Sequence, residues 1–78
     1  MLPVEVECYA GHRADQRPTR FKIRDRSFDV VEVEDQWYEP GAIYFRVCAD
    51  DGNHYILRHD EAQDRWTLDA FRSAKSTE

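Results

Sequence analysis

Apolar and polar residues alternate with a period of two over most of this chain, which is the pattern of strands that bury one face. The clearest stretch runs from Arg20 to Val33. Phe21 and Ile23 alternate there with basic residues, and the chain then returns through a second apolar run. We therefore predict a β-hairpin with a two-residue turn at Asp25-Arg26, and we expect the rest of the fold to be organised around it. A longer turn is the alternative, because arginine is a poor choice for the positive φ of a type I′ turn.

The register of this hairpin follows from the position of its turn. Aligning the two strands about that turn brings apolar residues together on one face and opposite charges together on the other. The apolar positions then change parity at Val30-Val31, which predicts a β-bulge and a bend in the second strand. The predicted cross-strand pairs are Ile23 with Phe28, Phe21 with Val30, and Lys22 with Asp29.

The same alternation predicts four further strands, separated by short polar segments. Segments 10–18 and 35–42 are predicted as loops, the second with its turn at Pro40-Gly41. Asp50-Asp51-Gly52 fits a three-residue hairpin turn with a bulged glycine. The four strands lie at Val4–Cys8, Ile43–Cys48, Tyr55–His59 and Arg65–Phe71, with the pairs Val47–Tyr55, Phe45–Leu57, Leu57–Leu68 and His59–Trp66.

Short strands joined by tight turns predict an all-β fold, a small antiparallel meander rolled into an SH3-like, partly open barrel of five to six strands. We predict one domain over residues 1–72 and a disordered C-terminal tail over 73–78, with a short helical turn over 68–74 as the alternative for the last strand. A domain of 78 residues buries only about 60% of its unfolded surface. We therefore expect no deep catalytic cleft and no enzyme.

Composition limits the cellular compartment and the classes of partner that we expect. The net charge of −5 and the pI near 5.1 argue against a general affinity for nucleic acid or anionic lipid. Neither a long apolar run nor a signal-peptide pattern is present, so we expect a soluble, cytoplasmic protein without membrane contact. Because small secreted scaffolds usually carry more than two cysteines, we predict no disulfide between Cys8 and Cys48.

The charges are segregated along the sequence, which suggests a nucleic-acid site. Residues 12–26 hold six of the eleven Lys and Arg residues, whereas residues 29–39 hold acids and no base. A basic strand face can bind phosphates. Alternatively, the same face is solvated and forms ion pairs with Asp29 and the acidic run. The candidate residues for single-stranded nucleic acid are Arg13, Arg17, Arg20, Lys22 and Arg24.

Trp37, Tyr38 and Glu39 are the candidate site for a protein partner. The sequence predicts a loop there, and large aromatic side chains in a loop have less structural reason to be present than those in a strand. An exposed Trp-Tyr pair beside acids is a typical anchor for a protein partner. The alternative is that Trp37 folds back and closes an open end of the barrel.

Cysteine and histidine residues raise two chemical possibilities. Cys8, His12, Cys48 and His54 could form a Cys2His2 zinc site, although their spacing lacks the usual C-x2-C and H-x3-H elements. Cys48, His54 and Asp50 supply the residue types of a cysteine nucleophile with its base. The simpler interpretation is two separate strand cysteines that act as small apolar residues. We therefore predict no metal, no cofactor and no catalytic residue.

One resemblance covers nearly the whole chain. The segments YAGHRADQRPTRF at 9–21, WYEP at 37–40, YFRV at 44–47 and YILRHDEAQDRWTL at 55–68 resemble a family of small uncharacterised bacterial domains. Some relatives in that family are associated with proteins of the translesion-polymerase type, which implies an accessory role in DNA repair. The resemblance implies no catalytic residue, because the shared positions are mostly strand aromatics and turn formers.

These observations favour a non-enzymatic module that mediates protein–protein contacts as a monomer or a weak homodimer. The alternative is an accessory domain that binds single-stranded nucleic acid through its basic strand face.

Overall fold

The computed structural model describes residues 2–8 and 17–72, and within these ranges the backbone forms antiparallel strands and no helix. Alternating apolar residues give the inner strands one side that is more buried than the other, as the sequence pattern requires, whereas both residues of the short first strand are exposed. The strands are β1 (Leu2–Pro3), β2 (Glu5–Cys8), β3 (Pro18–Ile23), β4 (Arg26–Glu39), β5 (Ala42–Ala49), β6 (His54–Asp60) and β7 (Arg65–Arg72).

The described strands form one sheet in the order β1-β7-β6-β5-β4-β3-β2. Only Val4 separates β1 from β2, so a single bent segment pairs with β7 at one margin of the sheet and with β3 at the other. The Val4 N–H donates to the Trp66 carbonyl at 3.2 Å and holds this bend against β7. The sheet therefore curls onto itself, which confirms the predicted small, partly open all-β barrel. The described strands number seven instead of five to six, because Leu2–Pro3 forms an additional strand.

Aromatic rings fill the thin core. Phe21 packs against Phe28 with 5.2 Å between ring centroids, and Tyr55 meets Phe21 edge-on at 4.9 Å. Phe45 and Leu57, from neighbouring strands, are almost completely shielded from solvent. Because a few large side chains supply most of the apolar area, the fold depends on their cross-strand register.

The register of the first hairpin corrects the prediction. Its turn is Arg24-Asp25, one residue earlier than expected, and Arg24 adopts the left-handed region with φ of 58°. This register stacks Phe21 on Phe28. It also places Arg20, instead of Lys22, opposite Asp29, where their charged groups lie 2.9 Å apart. The observed pairs are Phe21 with Phe28, Ile23 with Arg26, Lys22 with Ser27, and Arg20 with Asp29.

Two irregularities bend β4. The register shifts between Val30 and Glu32, which confirms the bulge predicted at Val30-Val31 and leaves Val31 67% exposed. A second shift lies between Val33 and Asp35. The bends let the two ends of this long strand belong to different parts of the barrel.

The later hairpins largely follow the sequence. The Asp50–Gly52 turn closes with the Gly52 N–H donating to the Ala49 carbonyl, and Gly52 has φ of 85°. The registers predicted for these strands are confirmed: Val47–Tyr55, Phe45–Leu57, Leu57–Leu68 and His59–Trp66.

The predicted loop at 35–42 is wrong. β4 continues through Glu39, and only Pro40 and Gly41 turn the chain before β5. Proline at the first central position and a glycine with φ of 83° at the second are the combination of a type II turn. The helical alternative is also wrong up to Arg72, because β7 extends to that residue. The predicted tail at 73–78 lies outside the described residues.

Candidate functional site

The distinctive surface of this fold is one side of β4. β3 pairs with residues 26–29 of that strand, and β5 pairs with residues 30–39 along the opposite side. Within 2–8 and 17–72, no strand continues the β3 side beyond residue 29. We refer to the unpaired side of residues 30–39 as the β4 edge.

The hairpin turn determines which backbone groups face this edge. A two-residue turn makes Glu39 and Ala42 a hydrogen-bonded pair, and such pairs alternate along antiparallel strands. The backbone groups of Gln36 and Tyr38 therefore point away from β5. The Gln36 N–H donates to the carboxylate of its own neighbour Asp35 at 2.8 Å. A side chain thus occupies the place where a further strand would bond.

Trp37 projects from the outer face of the sheet beside this edge. Its ring stacks on Tyr44 of β5, with centroids 5.4 Å apart and planes only 4° from parallel. The Arg58 guanidinium lies 6.0 Å from the Tyr44 ring centroid. Trp37, Tyr44 and Arg58 form a row across β4, β5 and β6. Trp37 and Arg58 therefore cover the two faces of the Tyr44 ring, and the other face of Trp37 points toward the β4 edge. Trp37 is therefore neither in a loop nor in the open end of the barrel.

Tyr38 projects from the opposite face of the same strand. Its side chain is 69% exposed, and its hydroxyl accepts a hydrogen bond from the Gln36 side-chain amide at 2.9 Å. Glu39 is exposed at the end of the strand. The three residues predicted as a partner site thus lie together at the β4 edge, although Trp37 and Tyr38 occupy opposite faces.

Acidic side chains line β4 beyond the first bulge. Between Val31 and Glu39 the strand carries four carboxylates and no basic residue. Charged residues and bulges on an edge strand oppose indiscriminate pairing with other sheets. The acidic residues are Glu32, Glu34, Asp35 and Glu39.

The predicted basic stripe lies elsewhere and is interrupted by acids. Arg20 bonds Asp29, and this hydrogen bond is the main reason why the pKa of Arg20 is raised. On the other side, Glu7 and Glu5 of β2 pair with Arg20 and Lys22. Arg17 is exposed before β3, Arg24 lies in the turn, and Arg13 is outside the described residues. Nucleic-acid binding at these positions stays a prediction.

A cluster of potential metal ligands lies on the outer face, near the second bulge of β4. Glu34, Cys48 and His54 bring a carboxylate oxygen, a sulfur and an imidazole nitrogen within 4.8 Å of one another. Glu34 Oε1 is 3.0 Å from His54 Nδ1 and 3.5 Å from Arg46 Nε. Burial, followed by the charges of Glu34, Glu32 and Asp51, raises the pKa of the Cys48 thiol.

This cluster differs from both arrangements considered from the sequence. Cys8, on β2, is not part of it, and His12 lies outside the described residues. Both cysteines are free thiols. The acid beside His54 is Glu34. Asp50, the acid considered together with Cys48 and His54 from the sequence, instead donates its backbone N–H to the Asp29 carbonyl.

Two features of the site were missed by the sequence reasoning. The first is the pairing of Trp37 with Tyr44. The sequence contains the signal for it, because a two-residue turn at Pro40-Gly41 places these two residues opposite one another. Glu34 joins Cys48 and His54 because of a register shift that residue pattern alone does not locate.

His59 and Trp66 form the predicted structural pair at the barrel rim. Their rings stack with centroids 4.5 Å apart, and the imidazole Nε2 lies 2.8 Å from an Asp64 oxygen.

No family model, curated protein or solved structure matches this chain. The resemblance to small bacterial domains therefore stays a prediction. Within the described residues there is no helix with the length and apolar character needed to cross a membrane.

Proposed function

We propose that this protein is a non-enzymatic binding module that accepts an extended, basic segment of another protein as an additional strand on the β4 edge. The observation that carries the proposal is the backbone of Gln36, whose N–H bonds the Asp35 side chain instead of a neighbouring strand. Strand addition supplies main-chain hydrogen bonds for affinity and uses alternate side chains for specificity.

Trp37 and Tyr38 would provide that specificity. They project from opposite faces of one strand, so an added strand would contact Trp37 on one face and Tyr38 on the other. Tryptophan and tyrosine are the residues most enriched among energetic hot spots of protein interfaces. The outward face of Trp37 and the exposed ring of Tyr38 leave apolar area for a partner to cover.

The charge of the edge selects the partner. The carboxylates of Glu32, Glu34, Asp35 and Glu39 favour a segment that carries Lys or Arg. Like charges would repel an acidic segment, and the two bulges would hinder a flat, uniform strand. These features support a selective site for a basic, irregular strand.

Binding of single-stranded nucleic acid at the basic stripe is the second candidate. Carboxylates on both neighbouring strands reduce the positive charge that phosphates would meet. The open aromatic faces of Trp37 and Tyr38 lie at the acidic β4 edge and not beside the basic stripe, so base stacking and phosphate contacts would not coincide. Both observations favour the protein partner.

The test starts by selecting binders from a displayed library of random linear peptides. We expect enrichment of β-branched and basic residues. Gln36→Pro removes the N–H that faces the β4 edge and leaves the β5 pairing intact, so the variant should lose binding. Gln36→Ala is the matched control, because it keeps the N–H and, like proline, lacks the side-chain amide that donates to Tyr38; it should retain binding.

If Gln36→Pro disrupts the folding of β4, a charge variant still tests the proposal. Glu32→Lys should weaken the selected basic peptides and make binding less sensitive to salt. Amide chemical shifts on peptide addition should concentrate in residues 31–39. Shifts concentrated in Arg20, Lys22 and Arg24, or binding retained by both Gln36→Pro and Glu32→Lys, would contradict the proposal.

A further inference from the structure

The Glu34, Cys48 and His54 cluster combines donors from three strands. Cys48 and His54 are direct cross-strand partners on β5 and β6, so their side chains share the outer face of the sheet. Glu34 reaches them from the second bulge of β4. The β4–β5 and β5–β6 ladders therefore fix the relative positions of all three donors.

The donor spacing is close to that of a tetrahedral metal site. Zinc bonds of about 2.0 Å to nitrogen and oxygen and about 2.3 Å to sulfur place neighbouring ligand atoms roughly 3.3 to 3.6 Å apart. Glu34 Oε1 and His54 Nδ1 are already 3.0 Å apart, and no donor pair exceeds 4.8 Å. Small side-chain rotations therefore suffice for coordination.

Charges of both signs surround the cluster: carboxylates favour a cation, whereas Arg46 and Arg72 oppose it. The carboxylates of Glu32 and Asp51 act on the Cys48 sulfur in addition to Glu34. Arg46 opposes a metal, since its Nε lies 3.5 Å from Glu34 Oε1. Its side chain is half exposed and can move into solvent when a metal takes the carboxylate.

We propose that Glu34, Cys48 and His54 form a site for a divalent transition metal of the zinc type. Sulfur and imidazole donors favour Zn²⁺ or Co²⁺ over Mg²⁺ or Ca²⁺, which prefer oxygen ligands. Three protein ligands leave a fourth position for water. Beside the cluster lies a groove of about 360 Å³, which Glu34 and His54 line together with Ile56, Phe71 and the cations Arg46 and Arg72.

This site shares Glu34 with the β4 edge, but its other two donors lie on β5 and β6, so metal binding does not require an added strand. A bound metal would join β4, β5 and β6 on the outer face, and above its Kd it would stabilise the folded chain with the logarithm of metal concentration. Cys48 must lose its proton on coordination, so affinity should rise with pH.

The test is a titration of the reduced, full-length protein with Co²⁺ alone. We expect one equivalent to bind, with a sulfur-to-cobalt charge-transfer band and the visible bands of a four-coordinate ion. Cys48→Ser should abolish the charge-transfer band. Glu34→Gln and His54→Gln should each weaken binding by about tenfold or more, since even groups one step removed from a metal contribute that much.

Matched controls use the other cysteine and another histidine. Cys8→Ser and His59→Gln should leave the spectrum and the affinity unchanged, because neither residue belongs to the cluster. Thermal unfolding without metal verifies that each variant is folded. The absence of a charge-transfer band in the native protein, or its loss in Cys8→Ser, would overturn the proposal.

Discussion

The hydroxyl of Tyr55 provides a sensitive probe of how the β5–β6 hairpin is held. Tyr55 donates to Asp51 Oδ2 at 2.6 Å, while its ring is only 4% exposed and packs against Phe21, Phe28 and Phe71. Tyr55→Phe removes this hydrogen bond and keeps the ring. The variant therefore isolates the bond that ties the Asp50–Gly52 turn to the core.

The expected loss is set by the charge of the acceptor. Hydrogen bonds to charged groups contribute about 1.5 to 3 kcal/mol to stability. Because Asp51 lies in an exposed turn and is hydrated after the substitution, we expect the lower end, about 1.5 kcal/mol. In a domain of this size, that loss lowers Tm by about 6 to 12 °C.

The same bond makes stability depend on pH at both extremes. Burial, then the hydrogen bond and the charge of Asp51, raise the pKa of Tyr55 to about 12. Its contribution is therefore present below the unfolded value near 10 and is lost as pH rises toward 12. Burial opposes ionisation of Asp51, but hydrogen bonds from Tyr55 and Asn53 outweigh it and lower its pKa. That contribution is present above the unfolded value of 3.8 and is lost as pH falls through the lower folded value.

Urea unfolding at several pH values measures these effects. The native chain should lose stability between about pH 10 and 12, and Tyr55→Phe should lose much less over that interval. Tyr44→Phe is the matched control, because Tyr44 lies on the outer face. A loss below about 0.5 kcal/mol for Tyr55→Phe at neutral pH, or an unchanged alkaline profile, would refute this reasoning.

Four further substitutions test the packing and the turns by thermal or urea unfolding. Trp37→Ala should cost about 1 to 2 kcal/mol, because Trp37 is half-buried and stacked on Tyr44, whereas Phe45→Ala in the core should cost about 3 to 5 kcal/mol. Equal losses would place Trp37 in the core. Arg24→Gly should gain about 0.5 to 1 kcal/mol, since glycine tolerates the left-handed backbone there. Gly52→Ala should cost about 1 kcal/mol for the opposite reason, and no loss would contradict the positive φ.

Residue alternation determined most of the fold, and its errors have identifiable physical causes. The predicted and observed registers of the first hairpin both keep Phe21 and Phe28 on the buried face, so period-two patterning could not distinguish them. The observed register places Phe21 opposite Phe28, where their rings stack, and Arg20 opposite Asp29, where they form an ion pair. Both candidate turns, Asp25-Arg26 and Arg24-Asp25, place an arginine where a two-residue turn needs a positive φ, so turn chemistry could not distinguish them either.

The segment around Trp37 shows a different limit. Pro40-Gly41 was recognised as a turn, but the polar residues before it led to the prediction of a loop. Those residues stay in β4 because they lie on an edge strand, where polar side chains remain solvated on both faces. The candidate partner residues were therefore assigned to a loop although they lie in a strand, and their role in binding a partner stays a prediction.

Glu34 shows what sequence pattern cannot supply at all. Its proximity to Cys48 and His54 depends on a second register shift in β4, and strand spacing alone does not locate it. The Cys48 and His54 pair did follow from the sequence, because the three-residue turn between them fixed the register.

Amide hydrogen exchange tests the central claim most directly, because it reports whether the β4 edge is open. Trp37 pairs with Tyr44, so its N–H should exchange slowly in the free protein, whereas the N–H of Tyr38 should exchange much faster. A selected basic peptide should slow exchange at Gln36 and Tyr38 and leave Trp37 unchanged. Equal protection of Tyr38 and Trp37 in the free protein, or no slowing at Gln36 and Tyr38 with bound peptide, would contradict strand addition at this edge.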